Sequence, residues 1–125
     1  MLFILTGCND QAGVIELVLP NGYHGIFQII CDGKIGILPK KTDGKLIYHI
    51  PPNGILFVKS LDPFTTWKSR VARYENGSKI LPEVEAAGSE IAFYNLSLVN
   101  DQKGTRIYFL IGSKDEADTW YKHRP

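Results

Sequence analysis

Two cysteines, Cys8 and Cys31, are the side chains best suited to covalent chemistry, because a thiolate sulfur is a strong nucleophile. Cys8 follows two small residues, Thr6 and Gly7, and the apolar residues 2–5 precede them. Small side chains fit the narrow cleft of a peptidase, and the sulfur behind them can receive a covalent group. This order of residue types is suited to covalent chemistry at the Cys8 thiol.

The segment Leu5-Thr6-Gly7-Cys8 resembles the lipobox of bacterial lipoproteins. In that family the chain is cut before the cysteine, whose thiol receives a diacylglycerol. The resemblance implies that residues 1–13 are a signal remnant and tether, and that acylated Cys8 anchors the protein to the membrane. The expected location is the cell envelope, on its periplasmic or surface face. A secretory signal needs a basic start and about 7–15 apolar residues, so we expect the native reading frame to begin upstream or the chain to be truncated.

A second hypothesis follows if Met1 is the native start. The protein would then be a soluble cytoplasmic inhibitor or immunity-type protein that binds another protein. Three roles stay open for Cys31, which ends the apolar stretch 26–31. The favoured role is a free thiol packed as a small hydrophobe. The others are a disulfide with Cys8 in an oxidising compartment and, least favoured, a nucleophile served by His24 or His49.

The remaining chemistry-bearing residues match no catalytic or metal-binding pattern. His24, His49 and His123 have none of the close spacings of zinc ligands, and the serines have no nucleophile-elbow context. We therefore expect no metal, no cofactor and no catalytic residues. The chain has 14 basic and 13 acidic residues, a net charge of +1, which does not give the basic footprint of a nucleic-acid-binding protein. The sequence does not indicate whether the protein is a monomer or an oligomer.

A set of aromatic and basic residues is the candidate binding surface for a protein or glycan partner. Its members combine flat apolar rings with cations, as partner-binding surfaces do. They are Tyr23, His24, Trp67, Lys68, Arg70, Arg73 and Tyr74. The alternative, which we favour, is that Trp67 and Tyr74 fill the core while the cations lie on a solvated strand face.

Short apolar or alternating runs separated by glycine and proline predict the fold. The 44% hydrophobic content is ordinary for a globular chain. Seven or eight strands with turn signals between them predict an all-β fold, an antiparallel β-sandwich formed by residues 14–125 as one domain. The predicted strands include 14–19, 24–31, 34–38, 46–50, 55–59, 66–74, 90–98 and 105–111, with hairpin turns at 75–78 and 100–104.

The C-terminal segment has the features of a single α-helix over about residues 114–123. Ser113 and Glu116 have the spacing of a capping box. Ala117, Trp120 and Tyr121 form one apolar stripe, which predicts that Trp120 packs against the sheet. Acidic residues in the first turn and basic residues in the last turn suit the helix dipole.

The middle of the chain resembles a small bacterial domain family of unknown function, over about residues 17–121. The resemblance is carried by Leu19-Pro20-Asn21-Gly22-Tyr23-His24-Gly25-Ile26, Ile50-Pro51-Pro52-Asn53-Gly54-Ile55-Leu56, Arg73-Tyr74-Glu75-Asn76-Gly77 and Phe109-Leu110-Ile111-Gly112-Ser113-Lys114. A looser similarity to transthyretin-like and carboxypeptidase-regulatory-like sandwiches rests on strand pattern alone. Members of the bacterial family often follow a lipoprotein signal. The resemblance implies a single β domain and brings no activity or site residues.

Overall fold

The computed structural model describes residues 13–66, 69–77, 80–84 and 91–123. Within these ranges the chain forms nine strands and two helices. The strands are β1 (Val14–Leu19), β2 (Gly25–Cys31), β3 (Lys40–Thr42), β4 (Lys45–His49), β5 (Ile55–Val58), β6 (Ser69–Tyr74), β7 (Ile80–Val84), β8 (Ala92–Asp101) and β9 (Gly104–Gly112). The helices are the short α1 (Asp62–Thr66) and the C-terminal α2 (Lys114–Lys122).

The strands are hydrogen-bonded in the order β3-β4-β1-β6-β7-β8-β9-β2-β5. This order divides into two sheets that meet at β7, which pairs with β6 on one side and with β8 on the other. The two sheets enclose the apolar core, so the prediction of an all-β sandwich with one C-terminal helix is confirmed. Both predicted hairpins are present, since β6 pairs antiparallel with β7 and β8 with β9.

The strand directions are mixed, whereas the sequence predicted an antiparallel arrangement throughout. β1 pairs in parallel with both β4 and β6, β2 with β5, and β7 with β8. Strands that are neighbours in sequence are often not neighbours in the sheet, and turn signals give no information about such distant partners. Residues 40–42, expected to be a loop, form β3, and residues 34–38, expected to be a strand, contribute only the bridge between Ile37 and Val58.

Alternation along the strands places one face of each sheet in the core. The inward face of β1 carries Ile15, Leu17 and Leu19, all fully buried. At the centre, the Phe109 ring lies 5.3 Å from the Phe27 ring and 5.2 Å from the Phe93 ring. Each fully buried side chain of this kind contributes about 1.5–3 kcal/mol. The three rings belong to one sheet and share a single buried cluster with Ile15, Leu17 and Leu19 of the other sheet.

The pairings also define two ends of the sandwich. β1, β4, β6 and β9 run in one direction, and β2, β3, β5, β7 and β8 run in the other. At the end that we call proximal, β1 and β4 begin and β2 and β5 finish. At the distal end β1 and β6 finish and β2 begins, and there the Tyr74 hydroxyl donates to the carbonyl of Tyr23 at 3.0 Å.

Helix α2 begins and packs as the sequence predicted. The Ser113 hydroxyl accepts from the backbone N–H of Glu116, and the Glu116 carboxylate accepts from the backbone N–H of Ser113. Ala117 and Trp120 pack on the outer face of β8 and β9 with Tyr94, Leu96 and Leu110. In the part of the chain that the structure describes, no helix has the length and apolar character that a membrane crossing requires.

Candidate functional site

A cleft of about 570 Å³ lies between α2 and the outer face of β2 and β9. This volume is within the range of about 300–1,000 Å³ that is usual for ligand pockets. The residues that line the cleft are Gly25, Ile26, Leu110, Asp115, Glu116, Thr119, Trp120 and His123. The helical members follow one face of α2, so the helix forms one wall and the strand pair forms the floor.

The floor is apolar because of a cross-strand pair. Ile26 of β2 is opposite Leu110 of β9, and both side chains point away from the core. Leu110 is buried, but Ile26 keeps 40% of its surface exposed. Trp120 forms the apolar part of the wall, and its ring lies 5.5 Å from that of Tyr108 and 5.3 Å from that of Tyr121. These two neighbours hold the indole in place beside the exposed isoleucine.

The rim at the distal end carries a hydrogen bond between the segment before β2 and the helix. His24 lies just before β2, and its Nε2 donates to the Glu116 carboxylate at 2.8 Å. The backbone N–H of Ser113 donates to the same carboxylate at 2.9 Å. The pKa of Glu116 is lowered first by this backbone hydrogen bond and then by His24. A Cβ at Gly112 would approach Glu116 Oε1 to 2.6 Å, so glycine at that position leaves room for the carboxylate.

Asp115 and His123 complete the polar part of the cleft wall. Both side chains are exposed. Thr119, one turn after Asp115, donates its hydroxyl hydrogen to the Asp115 carbonyl at 2.9 Å, and His123 Nδ1 donates to the Thr119 carbonyl at 3.1 Å. Two carboxylates therefore lie beside an apolar floor and an indole ring. Such a set attracts a positively charged group that has an apolar body.

The described part of the chain contains no group of three or more histidine, cysteine, aspartate or glutamate side chains placed to hold a metal ion. His24 has Glu116 as its partner, and His49 is exposed at the end of β4 on the other sheet.

The structure does not bring the described members of the predicted aromatic–basic surface together on one exposed face. Tyr23 and Tyr74 pack against the core, and the Tyr23 hydroxyl donates to the carbonyl of Ile26 at 2.6 Å. Burial raises the pKa of the Tyr23 hydroxyl. Arg70 donates to the carbonyl of Phe64 at 2.7 Å. These residues hold turns and strand ends in place, which agrees with the structural alternative for Tyr74.

Arg73 has a structural partner that the sequence did not reveal. Its Nε lies 3.1 Å from Oε2 of Glu16, a carboxylate on the outward face of β1 whose side chain is only 8% exposed. β1 and β6 are parallel neighbours, and Val18 is the direct partner of Arg73, so Glu16 is the diagonal neighbour on the same face. The guanidinium therefore neutralises a buried charge.

Three predicted residues, Cys8, Trp67 and Lys68, lie outside the described residues, as do residues 1–12 of the predicted tether. Cys31 is exposed rather than packed in the core, and its Sγ donates to the carbonyl of Lys59 at 3.7 Å. The reason is its position at the strand end. Cys31 shares the face of the buried Phe27 and Ile29, but as the last residue of β2 it keeps its side chain exposed.

Of the described members of the candidate surface, His24 borders the cleft. The sequence interpretation had given Glu116 and Trp120 purely structural roles in capping and packing, and it had not considered Asp115 as part of a site. The missed signal was the spacing of positions 115, 116, 119, 120 and 123, which recur along one helix face and combine acidic, aromatic and imidazole groups. A helix face of that composition differs from the uniformly charged face of a solvated helix.

No protein-family model matches the sequence, and no curated protein matches it. A solved structure with partial similarity is that of a candidate lipoprotein from Bacillus anthracis. The sequence identity is 12% and the TM-score 0.46, over 81% of this chain and 70% of that chain. A likeness at this level carries no argument about function or location. The similarity of residues 17–121 to a small bacterial domain family stays a prediction.

Proposed function

We propose that this chain is a lipid-anchored protein of the cell envelope, and that its domain binds an amphipathic cationic ligand in the cleft beside α2. The role is binding without catalysis. The observation that carries the proposal is the Glu116 carboxylate, fixed by Ser113 and His24 at the rim of an apolar cleft.

The state of Glu116 favours binding over proton transfer. A general acid or base works best when its pKa is near the working pH. The hydrogen bonds from Ser113 and His24 lower the pKa of Glu116, so the carboxylate stays ionised at neutral pH. A permanently ionised group is a poor proton donor and a weak base, but it is an effective fixed charge for attracting a cation.

The ligand class follows from the surroundings of that charge. Ile26 and Trp120 offer an apolar surface to the body of a ligand, and the indole face also attracts cations. Asp115 adds a second negative charge on the same wall. An ammonium or guanidinium group on a hydrophobic carrier, such as a basic side chain of a peptide, satisfies both requirements.

The anchoring part of the proposal rests on the lipobox-like Leu5-Thr6-Gly7-Cys8. Five peptide steps separate Cys8 from Gly13, the residue before β1. Chain geometry limits this distance to about 18 Å, so acylation of Cys8 would hold the domain close to the bilayer. The soluble inhibitor hypothesis does not require any modification of Cys8, and the mass of the mature chain distinguishes the two.

Ligand binding is tested by the tryptophan fluorescence of a Trp67→Phe variant, in which Trp120 is the remaining tryptophan. The probe is 2-phenylethylammonium, with phenylacetate as the anionic control and ethylammonium as the cation without a large apolar body. We expect saturable quenching by 2-phenylethylammonium and weaker effects from the other two compounds.

Variants then assign the response to the cleft. Asp115→Asn should weaken binding about 5-fold, because removing one solvent-exposed charge near a bound cation costs about 1 kcal/mol. Ile26→Asn should also weaken binding. Asp118→Asn is the matched control, since Asp118 is on the same helix but pairs with Lys114 outside the cleft. Equal binding of the anionic probe, or loss of binding in the control variant alone, would contradict the proposal.

A further inference from the structure

The proximal end of the sandwich carries an exposed apolar loop, residues 32–39, between β2 and β3. Ile35 is 61% exposed, Ile37 45% and Leu38 71%. Three large aliphatic side chains in seven residues (32–38) make a concentrated apolar protrusion, and such patches on soluble domains mark interaction sites.

The backbone of the apolar loop is held firmly against the edge strand β5. The Ile37 N–H donates to the carbonyl of Phe57 at 2.9 Å, and the Lys59 N–H donates to the carbonyl of Ile37 at 3.0 Å. The Asp32 carboxylate accepts from the N–H groups of Lys34 and Ile35 at 2.8 and 3.1 Å. The exposed aliphatic groups are therefore presented by a fixed scaffold.

Close contact at Gly36 adds to this fixation. A Cβ at that position would collide with the backbone carbonyl of Val58, so a glycine is needed for the loop to reach the strand.

Four lysines lie within the apolar loop or just after it in the chain. Lys34, Lys40, Lys41 and Lys45 are all exposed. Residues 32–45 contain these four lysines and two aspartates, which gives a net charge of +2. One of the aspartates, Asp32, already accepts two backbone hydrogen bonds within the loop. Exposed aliphatic groups combined with lysines are complementary to a bilayer that contains anionic lipids, because the apolar groups insert while the lysines meet the headgroups.

The apolar loop also lies at the end of the domain where the chain comes from Cys8. The Val14 N–H donates to the carbonyl of Gly44 at 3.2 Å, so β1 begins beside the turn that joins β3 to β4. β3 begins at Lys40, two residues after Leu38. The lipobox-like cysteine is at most about 18 Å of chain from the start of β1.

We infer that the proximal end docks on an anionic phospholipid bilayer, with Ile35, Ile37 and Leu38 as the inserting groups and the lysines as the headgroup contacts. This inference extends the proposed anchoring at Cys8, but it rests on the described domain and does not need the acyl group. The cleft begins at Gly25 and the loop follows Cys31, so the two are separated by the length of β2, about 20 Å. The docked domain therefore presents the acidic rim of the cleft away from the membrane.

The test is co-sedimentation of the full chain carrying Cys8→Ser, which cannot be acylated, with vesicles. One set contains phosphatidylglycerol in phosphatidylcholine, and the other is phosphatidylcholine alone. We expect binding to the anionic vesicles that weakens as salt is added. Lys40→Gln with Lys41→Gln should lower the partition coefficient about 5-fold for each lysine, which corresponds to about 1 kcal/mol per charge. Leu38→Asn should lower it about 10-fold.

Matched controls are at the other end of the domain and on α2. Ile91→Asn replaces an exposed aliphatic residue at the distal end, 38% exposed, just before β8. Lys114→Gln with Lys122→Gln removes two exposed lysines from α2. Both controls should change vesicle binding less than 2-fold, since neither site faces the bilayer in the inferred orientation.

Several outcomes would overturn the inference. One is no binding to anionic vesicles at low salt, and another is equal losses in the loop and control variants. A third is a concentration-dependent dimer that Leu38→Asn abolishes without lipid, which would assign the loop to a second copy of the chain. None of these results bears on acylation of Cys8, which is measured by mass, so failure of the docking face and failure of the anchor are distinguishable.

Discussion

Replacement of Arg73 by methionine provides the sharpest energetic test of the fold. Arg73 pairs with the Glu16 carboxylate, whose side chain is 8% exposed, while the Arg73 side chain is 27% exposed. Removal of one partner of a buried ion pair costs about 3–5 kcal/mol, because the other charge stays out of water without compensation. Since the guanidinium is partly solvated, we take the lower limit, about 3 kcal/mol, for Arg73→Met.

The assay is equilibrium unfolding in urea, followed by circular dichroism. With an m value of about 2 kcal/mol/M, the loss lowers the urea midpoint by about 1.5 M. The double variant with Glu16→Met and Arg73→Met should recover to within about 1 kcal/mol of the original protein, because two apolar side chains can replace a buried pair. Lys114→Met is the control, since it breaks the exposed pair with Asp118 and should cost less than about 1 kcal/mol.

A cost of Arg73→Met no larger than that of the Lys114→Met control would contradict a structural role for the pair. A double variant less stable than Arg73→Met would also contradict it, since the Glu16 carboxylate would then have no need of the guanidinium. Either result would return Arg73 to the role of a surface cation available to a partner.

Three further predictions concern single positions. Burial raises the pKa of Tyr48 to about 12, so the stability that this group contributes is complete below pH 10 and is lost as pH rises towards 12. Tyr48→Phe should reduce that loss of stability at alkaline pH, measured by urea unfolding. At neutral pH it should cost no more than about 1 kcal/mol, because the buried Tyr48 hydroxyl has no protein partner among the described residues. Gly36→Ala should destabilise the fold by about 1–3 kcal/mol through the collision with Val58, while Gly33→Ala in the same loop meets open space and should change thermal stability little. The pKa of Glu116 is lowered in the folded protein, so the stability that this carboxylate contributes is present above its ordinary pKa of 4.5 and is lost as pH falls through the lower, folded pKa. Glu116→Gln should therefore reduce the loss of stability measured by unfolding at acidic pH.

Local signals in the sequence predicted the parts of the fold that depend on nearby residues. The capping box of Ser113 and Glu116 defines the start of α2, and both of its hydrogen bonds are present. The Asn76-Gly77 turn joins β6 to β7, with Gly77 at a φ of +71° that favours glycine. In these cases a few adjacent residues determine the conformation, so the pattern alone was sufficient.

Features that depend on distant residues were not predictable in the same way. The pair of Glu16 and Arg73 arises because β1 is the parallel neighbour of β6, which the sequence does not reveal. The cleft arises because Ile26 of β2 and Trp120 of α2 line the same space, although they are 94 positions apart in the chain. His24 likewise reaches Glu116 across 92 positions. Exposure of Cys31 depends in the same way on how far the packing of the core extends along β2, since Cys31 shares the face of the buried Phe27 and Ile29 but ends the strand.

The measurement that tests the central claim most directly is the intact mass of the protein from the membrane fraction of its host, expressed from the complete upstream reading frame. We expect a chain that begins at Cys8 and carries the added mass of acyl groups. An unmodified chain that retains Met1 and is found in the soluble fraction would contradict the anchoring at Cys8 and would favour the cytoplasmic inhibitor hypothesis.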